Sequence, residues 1–448
     1  MKNIDTNIIL SYNTVMITRI EMNNAFIYQN NAIFSMKADM RTKILAKNVA
    51  QTGAGKVLKT ACVFGANNVG KTCLIKCVRA IWGIIMKQPC QMSANLFSGS
   101  KKVSLAVNFI EQEEEWRFAF KLDMATKTYV YEEFSQIKRD FYGNESLDTY
   151  YRRDYEKGNF FCKDTGVIHI LLALSNSDIL IHTVNTEAFP SLKKASDILF
   201  AFASRIVIVD MNNIPVEKTI LMLKTHSRLE GKVRKFIKLA DLDLDDIFYS
   251  DKMKIKVLPQ NHAEYLPAET ILQAQNLEDM LRLTSVYKGR EVQSFKFDST
   301  GTKKIVALAS FVVEAMEKNH ILFIDELDSS LHFKLTRAIV ELFNSEHNKG
   351  AQLIFTLHDV SLLDCKKLFR KEQIWFVEKD NEGARIFPLS VFTASKGVRG
   401  DTSDITEKYR QGLLCSLPNP RFIDYLLESD DSEDDGKKEK KGEGGKTQ

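Results

Sequence analysis

The chain has 448 residues, 44% hydrophobic and 27% charged, which is room for about two or three domains around a large core. A formal net charge of +4 is no global basic bias and says little about nucleic acid. The seven cysteines form no CxxC pair, which sets aside a zinc framework or a disulfide scaffold and fits a reducing cytosol.

No signal-type apolar segment opens the chain, and longer apolar runs such as residues 198–203 are too short to span a bilayer, so a cytoplasmic, membrane-free protein is expected. Residues 16–22 alternate apolar and polar, and residues 32–36 follow a polar Gln29-Asn30-Asn31 turn. They read as a hairpin feeding the next strand, Ala61-Cys62-Val63-Phe64. That strand runs into Gly65-Ala66-Asn67-Asn68-Val69-Gly70-Lys71-Thr72, of the form G-x-x-x-x-G-K-T, and residues 73–81 then have helical spacing. Strand, glycine loop and helix is the context in which this pattern holds phosphate. Gly65 and Gly70 let the backbone turn tightly and lay its N–H groups against phosphate oxygens. The helix start adds partial positive charge. Lys71 would reach the β- and γ-phosphates and Thr72 would ligate Mg²⁺, so ATP with Mg²⁺ is the expected ligand. Taken alone, the loop also reads as a plain glycine turn; the downstream residues speak against that.

Residues 103–109, 116–122 and 128–134 alternate as strands, the first two around an acidic run at 111–115 that reads as a solvated turn. From about 175 to 288 the pattern is helical, with apolar residues at 3–4 spacing over 219–228 and 231–239. The acids of Asp241-Leu242-Asp243-Leu244-Asp245-Asp246 suggest a helix junction, since a cation loop would need a glycine and a distal glutamate in register. Residues 252–257 read as one more strand.

Ser299 and Thr300 are natural N-caps for an amphipathic helix over 305–318, and Gly301 permits close approach of the backbone to an anion. Residues 321–324 form a buried-strand run ending in Asp325-Glu326. Ser329-Ser330-Leu331-His332 precedes a helix through Phe343, and residues 352–356 form a second buried strand ending at Leu357-His358. Residues 374–378 and 384–388 suit a closing hairpin. Residues 428–435 hold six acids and lead into a lysine- and glycine-rich end, which is expected to be disordered. The expected organisation is therefore an N-terminal nucleotide segment (1–90), a β-rich lobe (91–175), a mainly helical insertion (176–290), the second part of the nucleotide domain (291–427) and a charged tail (428–448).

An aspartate at the end of a buried strand can hold Mg²⁺ directly or through water, and an adjacent glutamate can polarise a water for attack on a γ-phosphate. Asp325 and Glu326 fit those roles as a Walker B pair. His358 ends the following strand, where a neutral imidazole can sense the γ-phosphate; a capping or surface histidine is the alternative. His332 reads equally as a subunit contact or a helix-start residue.

The order of these elements, residues 65–72, 298–304, 321–332 and 356–363, resembles the ABC-type ATPases of the SMC-like branch. More closely it resembles the single-chain ATPases of bacterial anti-phage abortive-infection systems, of AbiL-like, restriction-associated and PARIS-like type. Residues 236–241 and 409–413 also resemble segments of those ATPases. The resemblance implies an α/β fold: an ABC-type P-loop ATPase with a mixed sheet, an antiparallel β lobe and a largely helical insertion. It places Ser299, Gly301 and Thr302 where the ABC signature stands, closing the ATP held by the P-loop of another subunit. It thus implies a homodimer or higher oligomer with composite sites. It also implies a separate effector subunit, a toxin or Toprim-like nuclease, with a phage-derived trigger. The signature reads Asp-Ser-Thr-Gly-Thr rather than Leu-Ser-Gly-Gly-Gln, and Gln136 is the nearest candidate for a Q-loop glutamine. The insertion lacks the sustained heptads of a long coiled coil. Acids after His358 (Asp359, Asp364, Glu378 and Asp380) are scattered, which favours an effector in trans over a fused nuclease. The alternatives are a DNA-repair or DNA-remodelling ATPase that binds nucleic acid itself, and a nucleotide-dependent scaffold with slow turnover.

Overall fold

The computed structural model describes residues 14–29, 31–39, 42–240, 242–251, 268–363, 367–379, 381, 383–392 and 404–415. The strand expected at 252–257, the tail at 428–448, and Asp241, Asp364 and Asp380 lie outside the described residues.

The strands in chain order are β1 (Met16–Asn23), β2 (Ala32–Ser35), β3 (Val49–Thr52), β4 (Gly55–Leu58), β5 (Thr60–Phe64) and β6 (Lys102–Glu111). Then come β7 (Glu114–Asp123), β8 (Thr128–Arg139), β9 (Glu145–Asp154), β10 (Asn159–Cys162), β11 (Ile206–Asp210) and β12 (Asp246–Tyr249). The last are β13 (Leu283–Tyr287), β14 (Arg290–Gln293), β15 (Ile321–Asp325), β16 (Gln352–Thr356), β17 (Ile374–Lys379) and β18 (Ala384–Pro388).

Six of them form the sheet β11-β15-β16-β5-β17-β18, parallel throughout except for the antiparallel edge pair β17–β18. Its side chains sort by the two-residue period of a strand. Ala61, Val63, Ile321, Phe323 and Ile354 enter one core, with Leu74, Val78 and Ile81 of the helix Lys71–Ile85. Cys62, Phe64, Leu322, Ile324, Leu353 and Phe355 enter another, with Leu308 and Val312 of the helix Thr300–Lys318 and Val340 and Phe343 of the helix Phe333–Asn344. Both faces are covered, so these strands read as near-continuous apolar runs. Strand ends that share a parallel sheet share an edge, and the loops after β5, β11, β15 and β16 therefore converge there.

A second sheet, antiparallel, has the order β10-β9-β8-β7-β6-β1-β2. The expected N-terminal hairpin is present, and it joins this sheet through β1–β6 pairing; the short hairpin β3–β4 stands between it and β5. Where β2 no longer covers β1, the buried Gln352 side chain takes over. It accepts from Ile17 N–H at 2.7 Å and donates to the carbonyls of Ile17 and Leu58 at 3.0 and 3.1 Å. That amide fastens one sheet to the other.

The insertion has the helices Pro190–Ser204, Glu217–Lys224, Glu230–Lys238 and Ala268–Arg282. It also supplies β11 to the parallel sheet, and β12 and β13 to the small sheet β12-β13-β14, strands that the helical pattern does not predict. The acidic junction is settled by pairing: Asp246 Oδ1 accepts from Arg234 Nε at 2.9 Å, and Asp245 accepts from Gly289 N–H at 3.0 Å. Among the described residues no helix is long and apolar enough to cross a membrane.

Candidate nucleotide site

The glycine loop leaves β5 at Gly65, where a Cβ would lie 2.6 Å from the carbonyl oxygen of Val377 on β17. At Gly70 φ is +105°, and a Cβ would meet Ile27 Cγ2 at 2.5 Å. Sterics therefore require glycine at both ends of the loop. Asn68 between them is left-handed at φ 62°. Gly70 is the N-cap of the helix Lys71–Ile85, and its carbonyl accepts from Tyr28 Oη at 3.2 Å. Among the described residues, the N–H groups of Asn67, Asn68, Val69 and Gly70 donate to no other group. Four unspent amides at a helix start make a cradle that fits a phosphate chain.

Lys71 Nζ donates to the carbonyls of Gly65 at 2.7 Å and Ala66 at 3.0 Å, and lies 3.3 Å from His358 Nδ1. Burial pulls the lysine pKa down, against the carboxylates of Glu326, Asp328 and Asp325 that face it. Thr72 follows in the first helical turn, and among the described residues nothing occupies its hydroxyl.

Asp325 ends β15. Its Oδ1 accepts from the Thr356 hydroxyl at 2.6 Å, and the same Thr356 oxygen accepts from Glu326 N–H at 2.8 Å. The end of β16 thereby aligns both acids. Glu326 turns the chain out of the strand in the left-handed region, at φ 54°. Its Oε2 accepts from Asn212 Nδ2 at 2.7 Å, and its Oε1 is 3.1 Å from His358 Nε2. The Asn212 bond foremost, with His358 and Lys71, holds the carboxyl below the usual glutamate range against the opposing pull of burial. The backbone N–H groups of His358 and Asp359 donate to Asp328 Oδ2 at 2.8 and 2.5 Å, which sets the histidine over the site.

The signature candidates sit on a separate turn. Ser299 caps the helix Thr300–Lys318 by accepting from Thr302 N–H at 3.1 Å, and the two hydroxyls are 2.9 Å apart. A Cβ on Gly301 would come within 3.0 Å of the Ser330 carbonyl, so this turn lies against the segment after Asp325-Glu326. Among the described residues, no hydrogen bond or ion pair joins residues 299–302 to residues 65–72. The structure thus gathers Lys71, Asp325, Glu326 and His358 at the glycine loop and leaves Ser299, Gly301 and Thr302 together elsewhere.

Two other candidates find plain roles. His332 is the N-cap of the helix Phe333–Asn344, accepting from Lys334 N–H at 3.3 Å. Gln136 is a mid-strand residue of β8, paired with Trp116 and Asp148 inside the antiparallel sheet, so it is not a loop residue at the site. Three residues that the sequence reading gave no role complete the arrangement: Thr356, Asp328 and Asn212. Thr356 and Asp328 lie beside recognised elements. Asn212 follows β11, whose Ile206-Val207-Ile208-Val209-Asp210 run was a usable strand signal.

An α/β ABC-type P-loop ATPase fold is defined by this sheet order, with the glycine loop after the central β5, the acids after β15 and an antiparallel lobe. Residues 175–364 match the family described as "AAA domain, putative AbiEii toxin, Type IV TA system". No curated protein sequence matches the chain. Among solved structures the chain is similar to the SMC head domain from Thermotoga maritima, at 13% identity and TM-score 0.40 over 83% of this chain and 98% of that one. It is similar to an SmcHead bound to the C-winged helix domain of ScpA, at 14% identity and TM-score 0.45, covering 86% and 100% respectively. An Smc head domain from Pyrococcus furiosus, with an extended coiled coil and bound to the C-terminal domain of ScpA, gives 13%, 0.40, 88% and 100%.

Proposed function

We propose that this chain binds ATP with Mg²⁺ and hydrolyses it, at sites completed by a second copy of the chain, and that this cycle controls a separate toxin or nuclease effector in an anti-phage defence system. The observation that carries the hydrolytic part is the convergence of Lys71, His358 and Glu326, linked at 3.3 and 3.1 Å, beside the unspent amides of the glycine loop. The description of the matched family supports the defence context.

In this reading the loop amides and Lys71 hold the phosphate chain. Lys71 exchanges the carbonyls of Gly65 and Ala66 for phosphate oxygens. Mg²⁺ would neutralise charge building on the phosphates, and Thr72 and Asp325 are the residues that would hold it. Asp325 spends Oδ1 on Thr356, which leaves Oδ2 for that purpose. A Mg²⁺ of this kind takes only one or two protein oxygens beside phosphate and water, so the lack of a cluster of three or more His, Cys, Asp or Glu ligands among the described residues is in keeping. Glu326 is ionised and placed to accept the proton of an attacking water. His358 is placed to hydrogen-bond the γ-phosphate or that water. Ser299, Gly301 and Thr302 are proposed to face the nucleotide of the other copy.

Replacing Lys71 with alanine tests the nucleotide site directly. The variant is expected to lose about a hundredfold or more in turnover, by analogy with removal of one preorganised oxyanion donor. ATP binding by equilibrium dialysis should weaken in parallel. Parental binding and turnover in Lys71→Ala would remove the basis for the assignment.

A further inference from the structure

We infer that Asn212 is a positioning residue, which ties the Glu326 carboxylate to the start of the helix Thr300–Lys318 through Ser329 and Lys304. The inference rests on the proposed role of Glu326 in hydrolysis and goes beyond it, because it joins that residue to the turn reserved for the other nucleotide.

The direction of each hydrogen bond is forced. An ammonium only donates. Lys304 Nζ is 2.9 Å from Ser329 Oγ, so that oxygen accepts from the lysine and its own hydrogen is free to point onward. It points to Asn212 Oδ1, at 2.8 Å. With Oδ1 accepting, the amide must present Nδ2 to Glu326, and Nδ2 lies 2.7 Å from Oε2. The same logic runs from the other side. Lys71 Nζ donates to His358 Nδ1 at 3.3 Å, which leaves the hydrogen on Nε2, directed to Glu326 Oε1 at 3.1 Å. Two chains of bonds, each starting on a lysine, end on the two oxygens of one carboxylate.

Asn212 is exposed, so solvent could satisfy its amide and burial does not demand these partners. Its backbone is nonetheless pinned. Its N–H donates to Asp210 Oδ1 at 2.9 Å, and Asp210 pairs with Asp325 across the parallel β11–β15 ladder. A pinned, exposed amide that bridges two functional segments has the form of a linkage rather than a packing residue. If the signature turn moves on meeting a nucleotide, Lys304 carries Ser329 with it, and Asn212 transmits the change to Glu326.

A double-mutant cycle tests the linkage. Asn212→Ala and Lys304→Met should each lower kcat about tenfold, as misplacement of a reacting group does, with KM within about twofold. A purely structural role would instead lower the melting temperature and act on binding. The double variant should fall no further than the lower single, whereas independent effects would multiply to about a hundredfold. A second readout needs no turnover. In the apo full chain labelled with ¹⁵N-asparagine, the side-chain amide signal that vanishes in Asn212→Ala should shift in Ser329→Ala and in Lys304→Met. It should stay in place in Lys303→Met, since Lys303 Nζ stands instead over the Phe295 ring at 5.4 Å. A multiplicative double variant, or an unmoved amide signal in Lys304→Met, overturns the linkage. A parent chain without ATP turnover overturns the hydrolytic reading alone, and the amide signal then decides the linkage by itself.

Discussion

The Glu326→Gln protein is expected to hydrolyse ATP about a thousandfold more slowly than the parent, within the roughly 10²–10⁴ range of general-base removal, while still binding it. Glutamine keeps the length of the side chain and leaves Asp325 and Thr72 untouched, so the nucleotide should be retained. What it loses is the second acceptor oxygen. In the parent, Asn212 Nδ2 and His358 Nε2 both approach this carboxylate, at 2.7 and 3.1 Å. A glutamine can satisfy only one of the two donors, because its own NH₂ faces the other. His358 must then move or place its hydrogen on Nδ1, towards Lys71. The variant should therefore accumulate the ATP-bound, closed form. Phosphate release under saturating ATP, with ATP binding measured beside it, checks this. Parental turnover in Glu326→Gln would show that another group activates the water.

The largest effect on stability is expected far from the loop, at Arg153. Arg153 and Glu132 form an ion pair with both side chains 0% exposed, between the neighbouring strands β9 and β8. Glu132 also accepts from Tyr151 Oη at 2.9 Å and from Leu180 N–H at 3.0 Å, and Arg153 donates to the Asp178 carbonyl at 2.7 Å. The pair thus ties the antiparallel sheet to the start of the insertion. Removing one partner strands a buried charge, at a cost of about 3–5 kcal/mol, although replacing both by well-packed apolar residues is often close to neutral. Arg153→Met should lower stability by about that amount, and Arg153→Met with Glu132→Leu should recover most of it. Denaturant unfolding followed by tryptophan fluorescence, to which Trp116 of the same sheet contributes, measures both. A single variant as stable as the parent would mean that the pair is solvated in the native protein.

The arrangement of the candidate nucleotide site was legible where its residues are neighbours in sequence. The loop from Gly65 to Thr72 is contiguous, and its glycines are required by Val377 and Ile27, residues that the pattern need not know. Asp325 and Glu326 could be read because a buried parallel strand is an unbroken apolar run, and its end is marked by the first acids. His358 could be read for the same reason at β16. Contacts between distant segments could not. Asn212 lies 114 residues from Glu326 and meets it only because β11 pairs in parallel with β15. The pairing of β1 with β6 and the capping of Ile17 by Gln352, 335 residues away, depend equally on tertiary structure. Within the insertion, Leu283-Thr284-Ser285-Val286-Tyr287 is too short and too weakly alternating to stand out from the helical pattern around it. Gln136 shows the reverse error: a plausible position along the chain that folds into the middle of a strand.

The central claim is that one copy supplies Lys71, Asp325, Glu326 and His358 and another supplies Ser299, Gly301 and Thr302, in a two-fold, head-to-tail pair. Mixing two dead variants tests it most directly. Lys71→Ala lacks the phosphate lysine, and Ser299→Arg puts a bulky side chain on the signature turn without the contact that a Cβ on Gly301 would make with Ser330 of its own chain at 3.0 Å. Each alone should be inactive. At equal mixing and free exchange, about half of the pairs are mixed and each holds one intact site of two, so about a quarter of parental turnover should return. If the two sites fire only together, ATP-dependent association of the mixed pair is the signal instead. Neither turnover nor ATP-dependent association, in a mixture whose exchange is independently confirmed, would contradict the account and leave a site that works within one chain.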